Sequence, residues 1–126
     1  MKKIIIAIDS FKGCLTSAEA GKAAEKGIKS INPSCHTSVI PIADGGEGLL
    51  DVLITATKGK YITLSAHGPL MKMAKTHYGL SGNGRTAIIE MAAISGLPLV
   101  PIEQRNHMLT TTFGPGELIN DALHKG

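Results

Sequence analysis

The stretch KKIIIAID, residues 2–9, decides the fold because it places a mostly β-branched apolar run directly after two lysines. Such a run, without polar alternation, is typical of a strand that is buried on both faces of a parallel sheet. Thr16, with Glu19 three residues later, forms a capping box, and small or apolar residues recur at helical spacing after it. We therefore predict a first strand over residues 2–9 and a first helix over residues 17–30.

A second strand and a second helix follow in the same order. HTSVIPIA, residues 36–43, predicts an apolar strand, and GEGLLDVLITAT, residues 46–57, predicts a helix that Gly59 ends. A βαβα order predicts a parallel sheet with a right-handed crossover. We therefore assign residues 1–59 to a Rossmann-like βαβα segment of one lobe.

The sequence changes character after this segment. Three extended stretches occupy residues 60–68, 71–81 and 85–92, and glycine-containing turn signals separate them. The last two of these stretches predict an antiparallel hairpin. A parallel unit followed by hairpins forms either two lobes or one mixed sheet, and we favour two lobes. On this interpretation residues 60–126 start a second α/β lobe, and both lobes are incomplete in this chain.

A helix completes the predicted fold. PGELINDALHK, residues 115–125, has an amphipathic pattern, and a short helical turn is predicted near residues 92–95. The predicted fold class is therefore α/β, with a βαβα parallel Rossmann-like unit, an antiparallel hairpin region and a C-terminal helix. The residues expected on the inner face of that helix are Leu118, Ile119, Ala122 and Leu123.

Length and composition restrict the class of protein. A chain of 126 residues with 43% hydrophobic residues can bury one core, which predicts one globular domain or part of a larger one. Its apolar runs are far shorter than the roughly 20 residues of a membrane span, and no signal-peptide pattern precedes the first strand. We expect a cytoplasmic protein without a membrane partner. The two cysteines form no CxxC pair, so neither a disulfide framework nor a zinc ribbon is predicted.

The net charge of +3 raises the question of a nucleic-acid partner. The thirteen Lys and Arg residues are scattered along the chain, and no aromatic residues accompany them for base stacking. A solvated charged surface is the preferred interpretation, and we predict no nucleic-acid partner. The mild basicity suits an anionic small ligand equally well.

Two polar loops are candidates for a functional site. DSFKG, residues 9–13, follows the first predicted strand, and DGGEG, residues 44–48, follows the second. Because ligands of open parallel sheets bind at the carboxyl edge of the strands, we expect both loops at one crevice. Lys12 offers a charge for a phosphate or a carboxylate, while Gly45 and Gly46 offer backbone N–H groups at a helix N-terminus.

The carboxylates of the second loop have both functional and structural interpretations. Asp44 can orient a hydroxyl, accept its proton or hold Mg²⁺, but an Asp before two glycines can equally be a turn residue that caps the next helix. Glu47 can be an ordinary carboxylate of a first helical turn, and Ser10 a turn former. The residue pattern leaves these alternatives open.

A third candidate is LTTTFGPGEL, residues 109–118. The hydroxyls of Thr110, Thr111 and Thr112 and the amides of the helix start can hold an anion, or they can form a strand end and a cap. The five histidines show no HxxxH or HExxH spacing, so a histidine metal site is not predicted. Neither a P-loop nor a GxGxxG fingerprint occurs in the sequence.

Five separated motifs resemble those of the type I glycerate kinase family. They occur in the family's order over nearly the whole chain: DSFKG (9–13), ADGGEG (43–48), GPL (68–70), AIIEMA with SGLPLV (87–100) and TTTFGPGELI (110–119). The resemblance implies a two-lobed α/β kinase that phosphorylates D-glycerate with ATP and Mg²⁺ in the cleft between its lobes. D-glycerate and ATP are the partners that it implies.

The resemblance also implies which residues act. We expect catalytic roles for Lys12 and Asp44, and Asp44 is also able to hold Mg²⁺. Pro115 stands where the family commonly has Thr, which removes one hydroxyl and one N–H from that helix start. The residues expected to bind substrate or phosphate are Ser10, Gly45, Gly46, Glu47, Thr111, Thr112, Gly116 and Glu117.

Members of the family are longer than this chain, which resembles their amino-terminal third. The glycine-rich GGSATNDGG segment of the family does not occur within residues 1–126, so we expect the chain alone to be inactive. Exposed apolar surface would then favour a homodimer. The alternative function is a non-catalytic module that binds a small anion or a nucleotide, or that serves in assembly.

Overall fold

The structure, a computed structural model, describes residues 3–125 and has a mixed α/β architecture, as the sequence predicts. The strands are β1 (Lys3–Ile6), β2 (His36–Val39), β3 (Lys60–His67), β4 (Met73–Leu80) and β5 (Ala87–Ile88). The helices are α1 (Ser17–Ile31), α2 (Leu49–Thr57), α3 (Ala92–Ser95) and α4 (Phe113–Lys125), with 3₁₀ turns at Leu97–Leu99 and Ile102–Gln104. None of these helices is long and apolar enough to cross a membrane.

The chain divides into two compact units, Met1–Val52 and Leu53–Gly126, and the division falls within α2. In the first unit, β1 and β2 pair in parallel, so that Ile6 lies opposite Val39. α1 connects the two strands and packs against both of them. This strand, helix and strand form the parallel unit that the sequence predicts.

A capping box at its N-terminus sets the start of α1. Thr16 Oγ1 accepts a hydrogen bond from the Glu19 N–H at 3.2 Å, and the Glu19 carboxylate accepts one from the Thr16 N–H at 2.8 Å. An N-cap of this kind contributes about 1 kcal/mol to helix stability. The prediction of a helix over residues 17–30 is confirmed, and the observed helix ends one residue later, at Ile31.

The two parallel strands are shorter than their apolar runs. The Ile40 N–H donates to the Ile6 carbonyl at 2.8 Å, and Pro41 then has no N–H to continue the ladder. The prediction that the first strand is buried on both faces is wrong, because Ile6 is 5% exposed but Ile5 is 59% exposed. Neighbouring side chains of a strand point to opposite faces, so a helix on one face buries only alternate residues.

α2 begins at Leu49 rather than at the predicted residue 46, because Gly48 has a φ of +89°, which a right-handed helix does not contain. At the other end, Lys58 takes the left-handed conformation with a φ of 54°, and the Gly59 N–H donates to the Ile54 carbonyl at 2.9 Å. A Cβ at Gly59 would lie 2.4 Å from the Leu80 carbonyl oxygen. Gly59 is therefore required by a close approach to β4, and Lys58 makes the helix stop.

The second unit is built on an antiparallel sheet of order β3-β4-β5. β3 and β4 form a long hairpin, closed where the Gly68 N–H donates to the Lys72 carbonyl at 2.8 Å. The predicted antiparallel hairpin of β4 and β5 is confirmed, although β5 has only two residues. α3 and α4 pack against this sheet, and the buried core cluster between them consists of Ala66, Tyr78, Ile94 and Leu118.

α4 packs through a narrower apolar stripe than the sequence suggests. Leu118 is fully buried and Ala122 packs against the core, as predicted. Ile119 and Leu123 are 50% and 76% exposed, so their predicted inward positions are wrong. Each follows an inward residue by one position, which rotates it about 100° around the helix and away from the sheet.

Candidate active site

The loops after the two parallel strands meet in the first unit. Lys12 Nζ lies 3.4 Å from Asp44 Oδ2, and the two side chains are 66% and 54% exposed. The pair joins residues that are 32 positions apart in the sequence. The expectation that both loops lie at one edge of the sheet is confirmed by this contact, which places a cation and an anion together at the surface.

A buried hydroxyl holds the bases of these two loops together. Ser17, the first residue of α1, donates through its Oγ to the Ile8 carbonyl at 2.6 Å and accepts from the Ile42 N–H at 3.0 Å. Ser17 is 8% exposed, so both bonds are partly shielded from water. No pattern in the sequence marks Ser17 as functional, because a serine next to an N-cap has an ordinary structural explanation.

The Asp44 carboxylate is held in its ionised form. The Gly46 N–H donates to Asp44 Oδ1 at 2.9 Å, and this bond, followed by the Lys12 ammonium, holds the pKa of the Asp44 carboxyl below its ordinary value of 3.8. Asp44 is therefore a weak base at neutral pH. Because the Gly46 N–H donates to its side chain, Asp44 acts as a turn residue, which is one of the alternatives that the sequence left open for it.

Ser10 and Glu47, which are also predicted site residues of these loops, take no part in the contact between Lys12 and Asp44. The Ser10 N–H donates to Asp9 Oδ1 at 2.6 Å. Glu47 is exposed and precedes α2, so its interpretation as a carboxylate of the first helical turn is wrong; Asp51 takes that place. Within residues 3–125, the Glu47 side chain makes no hydrogen bond or ion pair. Its carboxylate is accessible to a ligand.

In the second unit, the threonine-rich segment leads into α4. The Thr111 N–H donates to the Pro69 carbonyl at 3.0 Å, and Thr111 Oγ1 accepts from the Phe113 N–H at 3.1 Å. The second of these bonds satisfies one of the free amides at the helix start, which is the capping alternative for Thr111. Thr112 and Gly116 remain exposed beside it.

Glu117, in the first turns of α4, is bonded twice to the last residue of β3. The His67 N–H donates to Glu117 Oε2 at 2.7 Å, and His67 Nδ1 lies 2.9 Å from Glu117 Oε1. The backbone bond is the largest cause, and the ring bond the second, of a Glu117 pKa below its ordinary value of 4.5. His67 is not predictable from the sequence as a partner of Glu117, because the two residues are 50 positions apart and no local pattern joins them.

A cavity of about 670 Å³ lies beside this helix start. It brings together Thr112, Gly116 and Glu117, three of the residues predicted to bind substrate or phosphate. Its other lining residues come from β3 and from one side of α4: Leu64, Ser65, Phe113, Asn120, Asp121 and His124. The cavity therefore lies where a ligand would meet the N-terminus of α4.

Metal ligands are sparse in the described part of the chain. Residues 3–125 contain no group of three or more His, Cys, Asp or Glu side chains placed to hold a metal ion. Asp44 is the carboxylate that the sequence predicts for Mg²⁺, and its side chain is 54% exposed. Its two oxygens offer about four lone-pair sites, and the Gly46 and Lys12 contacts use two of them, so Asp44 can still supply one metal ligand.

Comparisons with known proteins agree on one family. The family model described as the glycerate kinase family matches residues 4–126. The chain is 51% identical to the glycerate kinase of Bacillus subtilis over 98% of this chain and 32% of that protein. It is 47% identical to the glycerate 2-kinase of Escherichia coli, again over 98% of this chain and 32% of that protein.

A solved structure shows the same similarity in three dimensions. It belongs to a protein from Salmonella typhimurium assigned as glycerate kinase 2, and it matches with a TM-score of 0.77 and 45% sequence identity. The match covers 98% of this chain and 33% of that one. The chain thus spans about a third of the length of the relatives that it matches.

Proposed function

The chain belongs to the glycerate kinase family, and we propose that it forms part of a kinase that phosphorylates D-glycerate with ATP to give phosphoglycerate. The observation that carries this proposal is the identity of 44–52% with five glycerate kinases over 98–100% of this chain. The contact of Lys12 with Asp44 supports it, because phosphoryl transfer depends on charges placed around the phosphate.

Lys12 and Asp44 take the catalytic roles in this proposal. Lys12 is an exposed point charge at the surface and would bind a phosphate or the glycerate carboxylate. Asp44, as an ionised and weakly basic carboxylate, would orient the attacking hydroxyl rather than remove its proton in advance. Around them, the groups proposed to contact the substrates are the Ser10 hydroxyl, the Gly45 and Gly46 backbone and the Glu47 carboxylate.

The segment at the start of α4 is proposed to bind phosphate. Thr112 and Gly116 line the cavity and offer a hydroxyl and a backbone group near a helix N-terminus, where anions are stabilised. Thr111 would act through its backbone and its capping hydroxyl. Glu117 belongs to the same segment, although its carboxylate faces His67.

Mg²⁺ is proposed as the second cofactor. Mg²⁺ is usually held by one or two carboxylates together with substrate phosphates and water. Asp44 would supply the one carboxylate in this chain, and the ion would neutralise charge on the phosphates of ATP. This role is compatible with the lone pairs that remain on Asp44 and needs no further metal ligand from residues 3–125.

The architecture of the whole enzyme is proposed to be two-lobed. Residues 1–59 would form a Rossmann-like part of one lobe, and residues 60–126 would form the start of the other. Further sequence of the kind found in the longer relatives would complete each lobe. We also propose a cytoplasmic protein, with no nucleic-acid or membrane partner. Large apolar side chains that are exposed in this chain, among them Ile102 (76%), Met108 (77%) and Leu109 (73%), support association, and a homodimer of the isolated chain is proposed.

A second candidate is a module that binds a small anion or a nucleotide, or serves in assembly, without catalysis. The observation that favours it is the cavity of about 670 Å³ beside the start of α4, which could hold an anion without any reaction. Both candidates use the same loops and differ in whether turnover occurs.

One experiment separates the two candidates. We define the chimera as the Bacillus subtilis glycerate kinase in which this chain replaces the matched segment. ATP consumption that depends on D-glycerate is measured for the chimera and for the chain alone. Turnover by the chimera and none by the chain supports the kinase proposal, whereas a folded chimera that binds ATP without turnover supports the binding module.

A further inference from the structure

The end of β3 holds the start of α4 through one side chain. Both polar groups of His67 that face α4, its backbone N–H and its ring Nδ1, are bonded to the two oxygens of Glu117. Because a carboxylate only accepts hydrogen bonds, Nδ1 is the protonated ring nitrogen. The two side chains are 29% and 30% exposed, so the pair is partly shielded from water. A carboxylate bonded at both oxygens has its orientation fixed.

Further contacts surround this pair. A Cβ at Gly114 would lie only 2.0 Å from the His67 carbonyl oxygen, so the helix approaches the strand more closely than any other residue type allows. The Phe113 ring packs edge-on against the His67 ring, with centroids 5.5 Å apart. The strand end, residues 67–69, therefore contacts the segment 111–117 through its backbone, a carboxylate and an aromatic ring.

We propose that His67 is a positioning residue of the kinase, which acts through Glu117 to fix the phosphate-binding segment at residues 111–116. This inference rests on the proposed function and deepens it, because it gives Glu117 a different task from its neighbours. An ionised carboxylate repels a phosphate, so Glu117 is poorly suited to contact one. Bonded to His67, the same carboxylate sets where the amides and hydroxyls of the segment point.

Placement of this kind affects turnover more than binding. Phosphoryl transfer depends on aligned groups, and a misplacement of about 1 Å can lower the rate about 100-fold. Loss of the pair lets the start of α4 move relative to β3 while every ligand-binding group is still present. A positioning role therefore predicts a fall in kcat with a smaller change in KM.

The test uses the chimera with His67→Ala, His67→Asn and His77→Ala. His77, on β4, is a matched control, because it also packs edge-on against an aromatic ring, Tyr61, at 5.3 Å and does not bond to α4. We expect His67→Ala to lower kcat about 10- to 100-fold with KM for ATP changed less than about threefold. His67→Asn should restore most of the loss, because its amide can donate to Glu117.

The outcomes separate this inference from the proposed function. A His67→Ala variant with kcat within about threefold of the parent, or with the same loss as His77→Ala, would overturn the positioning role. Failure of the parent chimera to phosphorylate D-glycerate would instead overturn the proposed function. Amide hydrogen exchange on the chain itself decides the positioning question in that case. Glu117→Ala, which removes both acceptor oxygens, should speed exchange at the His67 and Thr111 amides, and unchanged exchange there would contradict the inference.

Discussion

Lys12 and Asp44 form a 3.4 Å ion pair that joins the loops following β1 and β2. The two residues are more than half exposed, so the pair itself contributes little to stability. Its importance is electrostatic and local: it keeps a cation and an ionised carboxylate next to each other where the strands of a parallel sheet end. A phosphate that binds Lys12 would therefore arrive beside the carboxylate that is proposed to orient the glycerate hydroxyl.

The Asp44 carboxylate is predicted to be required for efficient turnover. Asp44→Asn removes the negative charge but keeps a side-chain oxygen that can accept the Gly46 N–H, so the loop should keep its shape. We expect kcat/KM of the chimera for D-glycerate to fall at least about 100-fold. Glu103→Gln, which removes a carboxylate from an exposed 3₁₀ turn, is the control and should leave kcat/KM within about twofold. Equal effects of the two variants would exclude the role given to Asp44.

The Ser17 hydroxyl is predicted to stabilise the two site loops. Ser17→Ala leaves the Ile8 carbonyl and the Ile42 N–H without their buried partner, which costs about 1–3 kcal/mol. Urea unfolding of the chain measures this cost. Ser30→Ala removes an exposed hydroxyl that bonds the Gly27 carbonyl and should change the free energy of unfolding by less than about 0.5 kcal/mol. A Ser17→Ala variant as stable as the parent would show that the bridge contributes nothing.

Two glycines of α4 provide a matched pair of substitutions. Gly114→Ala would place a Cβ 2.0 Å from the His67 carbonyl oxygen, so we expect a loss of about 1–3 kcal/mol or more. Gly116 has no atom within 4 Å of its would-be Cβ, and Gly116→Ala should be neutral or stabilising by up to about 1 kcal/mol. Thermal unfolding of the two variants compares them. The reverse order would show that α4 does not approach β3 as described.

The pair of His67 and Glu117 makes stability depend on pH. The Glu117 pKa lies below its ordinary 4.5 because of the His67 N–H first and the His67 ring second. The unfolded chain therefore binds this proton at higher pH than the folded chain does. The stabilisation is fully present above pH 4.5 and is lost as the pH falls through the lower folded-state pKa.

Urea midpoints measured against pH test this dependence. Glu117→Gln should be less stable than the parent at neutral pH, and the difference should shrink as the pH falls below 4.5. Glu103→Gln again serves as the control and should track the parent at all pH values. A Glu117→Gln deficit that stays constant down to strongly acidic pH would mean that the carboxylate charge is not the source of the stabilisation.

Local signals in the sequence were enough to predict much of the fold. Thr16 and Glu19 lie in one helical turn, and their capping box fixed the start of α1 without reference to the rest of the chain. The exposure of Ile5 and Ile119 could not be predicted in this way, because an apolar residue does not specify which face of a strand or helix meets a neighbour. That choice depends on tertiary packing.

The same limit applies to the candidate site. The contact of Lys12 with Asp44 followed from topology, since loops after parallel strands share an edge. The hydrogen bonds by which Ser17 joins the two loops, and the pair of His67 and Glu117, were not predictable. Each joins residues that are far apart in the sequence, and no periodic pattern relates those residues. Side chains that only position others have no motif of their own, and the structure is needed to find them.

The most direct test of the proposed kinase site is the turnover of the chimera when Lys12 is replaced. Lys12→Ala removes the one cation that contacts Asp44 within the described chain, and Lys26→Ala removes an exposed cation of α1 as the control. We predict that Lys12→Ala lowers kcat/KM for D-glycerate at least about 100-fold while Lys26→Ala stays within about twofold. A Lys12→Ala chimera that turns over within about threefold of the parent would contradict the account.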